Sequence, residues 1–218
     1  MEDAGIRNEW GGGYNDGGMK LTNSTTLSTE RLRGMFEPYV TGWKCDRLAV
    51  RVRWSRGAEF SGTCRYSARV ITVNLGRENV YPYRMDTHVA RPRRNRTHWW
   101  RPVCEIELRD AHELALFVYL HELYHWLVKQ ARRNTRQKEG MCDRFAMRVL
   151  VDEYGCRLRD SKGRPVAREE WDFKDLLRFV EGARSKRRDR KIVGRALPRI
   201  AARQKVVVGE QRLLFAIH

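Results

Sequence analysis

The chain has 218 residues, 41% of them hydrophobic and 10% aromatic, which is enough to bury a core without disulfides and excludes a wholly disordered protein. Forty-four Lys and Arg against 27 Asp and Glu leave a net charge of +17, a field that draws polyanions and favours nucleic acid as a partner. The acidic start Met1-Glu2-Asp3 lacks the basic and apolar regions of a secretory signal, no apolar run approaches the roughly 20 residues of a membrane span, and five scattered cysteines form no CxxC pair. The expectation is a cytoplasmic protein with reduced thiols and no membrane contact.

Residues 1–25, with Gly11-Gly12-Gly13, Gly17-Gly18 and Asn23-Ser24-Thr25, carry too little apolar surface to offset the entropy of ordering and read as a disordered leader. Ser28 opens a short amphipathic helix, with Leu32, Met35 and Phe36 on one face, that ends before Pro38. Over 47–54, Leu48, Val50, Val52 and Trp54 alternate with Arg47, Ala49, Arg51 and Arg53, the pattern of a half-buried strand. Gly62 reads as a break before a second strand at 64–66, and residues 70–75 as a third, more fully buried one. Residues 77–101 read as a loop. Its second half interleaves Arg91, Arg93, Arg94, Arg96 and Arg101 with Trp99 and Trp100, a composition suited to phosphate contacts and base stacking.

Cys104, Ile106 and Leu108 alternate with Glu105 and Glu107 as a fourth strand. Asp110, with Glu113 three residues on, has the form of a capping box and opens a long helix to about 133. A second helix is expected over 139–154, stopped by Gly155, and a third over 169–181. Residues 184–218 begin with a basic run, including Lys186, Arg187, Arg188, Arg190 and Lys191, that suits tracking along phosphates. The domain expectation is a leader (1–25), a folded domain (26–183) and a basic extension (184–218).

His121-Glu122-Leu123-Tyr124-His125 is an HExxH motif in the middle of the long helix. Positions four apart share a helix face, so both imidazoles can reach one Zn²⁺ while Glu122 lies beside it as general base for a zinc-activated water. The flanking Leu116, Phe117, Leu120, Leu123 and Leu127 make this a core helix, in which a histidine needs a partner. His112 has Leu116, not a histidine, four residues on and is expected to be exposed. A third ligand is required, and Glu139 and Asp143 stand four apart at the start of the second helix. One carboxylate can ligate zinc while the other accepts the second ring N–H of a ligating histidine. Tyr124, Tyr154 and Arg144 are candidates for stabilising an oxyanion.

Together, the HExxH and the Glu139-Gly140-Met141-Cys142-Asp143-Arg144-Phe145-Ala146 segment resemble the gluzincin metallopeptidases, whose HExxH is followed by a helix bearing ExxxD, especially the form in ImmA/IrrE-type and CAAX-type prenyl proteases. The resemblance implies Glu139 as third zinc ligand and Asp143 as the partner of a ligating imidazole, with Cys142 in place of the usual alanine. Upstream, Val50 to Arg56, Ser61 to Tyr66 and Ile71 to Leu75 resemble the strands before the active helix of SprT-like (Spartan-type) proteases. Those proteins usually carry a third histidine where this chain has Met141.

The expected fold is α+β and zincin-like, a small sheet packed on the HExxH helix with a second, ligand-bearing helix. The expected activity is zinc-dependent hydrolysis of peptide bonds, on a protein or peptide aligned along an edge strand at 70–75 or 104–108, with nucleic acid as a further partner. The alternative is a nucleic-acid-binding regulatory module with a non-catalytic zinc site.

Overall fold

The computed structural model describes residues 19–181, apart from 42, 44, 46 and 137. The basic run with Lys186, Arg187, Arg188, Arg190 and Lys191, and the leader up to residue 18, lie outside the described residues. Strand β1 (Lys20–Asn23) falls inside the segment expected to be leader. Met19 is buried, Leu21 packs on the core, and β1 runs parallel to β2 (Ala49–Trp54) with Leu21 opposite Val50. Pairing with a neighbouring strand supplies the order that the local composition does not suggest.

Helix α1 (Thr29–Phe36) begins where Ser28 accepts a hydrogen bond from Arg31 N at 3.2 Å, and it buries Leu32, Met35 and Phe36. Strand β2 buries Val50 and Val52. With β3 (Phe60–Arg65) and β4 (Val70–Leu75) it completes a sheet of order β1-β2-β4-β3, in which β2 and β4 are parallel and β3 is the antiparallel edge. Two expectations are corrected here. Gly62 lies within β3 rather than before it, and residues 70–75 form an interior strand that has no free edge.

The segment read as a loop contains β5 (Tyr83–Thr87), where buried Met85 and Thr87 alternate with exposed Arg84 and Asp86. It also forms a small hairpin of β6 (Arg93–Arg94) and β7 (Trp99–Trp100), closed by Asn95, whose side chain accepts from Thr97 N and His98 N. Strand β8 (Cys104–Leu108) follows, and it is the middle strand of a sheet β5-β8-β9 completed by β9 (Leu158–Asp160), so it offers no edge either.

Helix α2 (Ala111–Gln130) starts as expected, Asp110 accepting from His112 N and Glu113 N at 2.9 and 3.0 Å. Glu113 does not close a capping box on Asp110. It turns one residue further back, accepting from Arg109 N at 2.7 Å, and its buried carboxylate also holds the Arg109 guanidinium. His112 is not exposed: its side chain keeps 12% of its surface, and burial lowers its pKa. Leu114 to Leu120 are all buried because α2 is enclosed by the first sheet, by α1 and by α3 (Glu139–Asp152). The expected third helix is two short ones, α4 (Arg168–Trp171) and α5 (Leu176–Glu181). Asp172 is drawn to Arg148 and Arg168 at the break, and the Asp175 side chain accepts from Arg178 N to start the second.

The architecture is mixed α+β with small sheets, as expected at that level. Among the described residues no helix is long and apolar enough to cross a membrane. None of the five cysteines is in a disulfide; Cys45, Cys104, Cys142 and Cys156 are buried.

Candidate metal centre

His121 and His125 lie one turn apart on α2, with ring centres 5.0 Å from each other, and both face the first turn of α3. Glu139, the first residue of α3, spans the pair: Oε2 is 3.1 Å from His121 Nε2 and Oε1 is 3.4 Å from His125 Nε2. One turn on, Asp143 Oδ1 is 2.8 Å from His121 Nδ1, and Oδ2 accepts from His88 N at 3.3 Å. Asp143 therefore fixes the His121 ring and leaves Nε2 toward Glu139, the arrangement in which a carboxylate orients a ligating imidazole.

The donor chemistry suits a metal ion. Ligand atoms of His121, His125 and Cys142 lie within 4.8 Å of one another, a nitrogen and sulfur set, and Glu139, which is not part of that group, brings its oxygens to both Nε2 atoms. Cys142 was read from sequence only as a replacement for alanine. Its place three residues after Glu139, on the same side of a helix, is the signal that could have marked it as a candidate donor.

Electrostatics follow from this packing. Burial pulls the His121 imidazole down, but its hydrogen bonds to Asp143 and Glu139 outweigh burial and lift it to about 10. Hydrogen bonds from His121 and His125 hold the Glu139 carboxyl well below the usual range. Glu122, 9% exposed, is pushed up by burial, against the pull of the two histidines, and accepts a hydrogen bond from the Cys64 backbone on β3. Gly62 makes that approach possible: a Cβ there would lie 2.6 Å from Glu122 Cγ. Burial likewise pushes the Cys142 thiol up.

No protein-family model, curated protein or solved structure matches the chain. The arrangement of its own residues therefore carries the functional reading.

The expected nucleic-acid residues are split among three environments. Arg94, Arg96, Trp99 and Trp100 are exposed on the β6–β7 hairpin, the two tryptophans at 71% and 46%. Arg91 is tied to the backbone of Glu169 and Glu170, and Arg93 pairs with Glu170 at 3.2 Å. Arg101 leaves the hairpin altogether, donating to His88 O at 2.8 Å and lying over Gly140 at the start of α3. The oxyanion candidates are engaged in other contacts. Tyr124 donates to Leu176 O, Tyr154 bonds Tyr39 at the far end of α3, and Arg144 stacks on Phe173.

Proposed function

We propose that the chain is a zinc-dependent peptidase in which His121, His125 and Glu139 hold the ion and Glu122 acts as general base. The observation that supports this best is the pair of carboxylates at the two histidines: Glu139 spans both Nε2 atoms, while Glu122, from the same HExxH turn, stays buried on β3. Zinc, when bound, supplies a Lewis acid that polarises the scissile carbonyl and acidifies the attacking water. Glu122 takes the water proton, and its raised pKa brings its basicity closer to neutral pH than that of an exposed carboxylate. The Cys64 N–H aims that carboxylate, and Asp143 keeps His121 in the tautomer that presents Nε2. A peptide aligned by strand addition has β3 as its template, in place of the interior strands expected from sequence. A groove lined by Thr63, Tyr66, Lys129 and Arg132 continues from that strand.

The experiment is a purified Glu122→Gln protein assayed for metal and for cleavage of an unfolded protein. Stoichiometric zinc with cleavage reduced about 10²–10⁴-fold is expected. Undiminished cleavage, or wild-type protein that takes up no zinc, overturns the reading. A second element of the proposal is contact with nucleic acid, favoured by the exposed arginines and tryptophans of the hairpin.

A further inference from the structure

Arg144 belongs to α3 but takes no part in the metal cluster. It is 3% exposed, and its Nε and Nη1 have no hydrogen-bond partner. Its guanidinium lies 4.3 Å from the centre of the Phe173 ring, which a second cation, Arg91, approaches at 4.4 Å. Arg101 acts on Arg144 electrostatically and has its own buried, unpartnered Nε. Burial first, then Arg101, brings the Arg144 guanidinium down to about 10. Lys174 is lowered by burial and then by Arg144, Lys138 and Arg101, which places all four cations in one field.

Among the described residues no ion pair joins any of these four to a carboxylate. Asp143, the acid that acts on Arg144, is already held by His121 and by His88 N. A buried guanidinium without an acceptor is costly, and a group of four cations compounds the cost; an anion removes it.

We propose that Arg101, Lys138, Arg144 and Lys174 form a binding site for an oxyanion, a carboxylate or a phosphate group, beside the first turn of α3. The two guanidiniums offer forked donors that match paired oxygens, and the lysines add point charges. Gly140 is part of the design, since a Cβ there would run into Arg101 Nη1. Because Gly140 follows Glu139, a ligand seated here lies next to the metal cluster. The site does not depend on the peptidase reading and stands or falls without it.

Thermal unfolding of the full chain in inorganic phosphate and in succinate, against chloride at equal ionic strength, tests the site. A bound oxyanion at ten times its Kd raises Tm by about 3–5 °C. A rise in phosphate alone assigns a phosphate group, a rise in succinate a carboxylate; no rise in either overturns the site. Arg144→Met is expected to abolish the rise, keep the metal content and unfold no lower than wild type in chloride, because it removes an unpaired buried charge. If Arg144→Met keeps the rise, or loses as much Tm in chloride as in phosphate, the assignment fails. Arg101→Gln and Lys174→Ala are each expected to weaken phosphate at least about tenfold, and they keep the test open should Arg144→Met not fold. Arg94→Ala, an exposed hairpin residue outside the group of four, is expected to change nothing; an equal loss there attributes the effect to general charge and overturns the site.

Discussion

Along one side of α3, Glu139 holds two imidazoles and Asp143 holds an imidazole and a backbone N–H; along the adjacent side, Arg144 has no acceptor for Nε or Nη1 and shares its surroundings with three other cations. The two sides differ in how their charges are neutralised. The carboxylates and histidines satisfy one another and stay assembled by themselves, so a metal ion entering there replaces existing hydrogen bonds. Arg144 rests on an aromatic ring and has two buried N–H groups without an acceptor, so a ligand entering there meets an unfilled demand. A cluster that is complete without its ligand is legible by its order, and one that is incomplete is legible by its orphans.

The largest effect separating the two sides is expected from His121→Ala, His125→Ala or Glu139→Ala, which lose the metal, while Arg144→Met retains it. Elemental analysis of the purified proteins checks this. Stoichiometric metal in Glu139→Ala promotes Cys142 to the third ligand, and a thiolate charge-transfer band in the cobalt-substituted protein identifies it. Asp143→Asn comes next. It leaves the metal bound but weakens it about 10–100-fold in competition with a chelator, because the His121 ring loses its orienting carboxylate. Unchanged affinity reduces Asp143 to a helix-start acid.

A third expectation concerns pH in the chelated protein. His121 is raised from its ordinary 6.5 to about 10, so the stability it contributes is full below about 6.5 and is lost as pH climbs toward 10. Glu139 is lowered from 4.5, so its contribution is present above that value and lost on acidification. The Tm advantage of the wild type over His121→Ala, both chelated, is therefore expected to be greatest between about pH 4.5 and 6.5 and to shrink above it. An advantage that is flat from pH 6 to 10 means that His121 is not carrying charge. The smallest effect is expected at the hairpin, where Arg94→Ala makes the salt dependence of nucleic-acid binding shallower by about one in the log–log slope. Anisotropy titrations that detect no binding at low salt remove nucleic acid from the proposal.

The sequence made part of this centre readable. HExxH spacing and its apolar flanks placed both histidines on a core helix, and the four-residue interval from Glu139 to Asp143 put both acids on one face, because helix periodicity alone decides such neighbours. What escaped was tertiary. Gly62 looked like a strand breaker because its reason, the side chain of Glu122, stands sixty residues away. Arg101 was grouped with the hairpin arginines by composition, although it packs over Gly140. Strand β5 was missed because only Met85 and Thr87 of its five residues are buried, too short an alternation to stand out between two prolines. Residues 169–181 gave one helical pattern, but the charge pairs of Asp172 divide it.

The edge position of β3 bears on solubility as well as on chemistry. A strand with one side unpaired is a template on which another copy of the same protein can extend the sheet. Here the exposed end of that strand carries Arg65, and Lys129 and Arg132 line the adjoining groove. Two such edges repel one another, so self-association is disfavoured in dilute buffer and becomes easier as salt screens the charges. The cations that set two copies of the strand against each other would not repel the neutral or acidic peptide proposed as its guest.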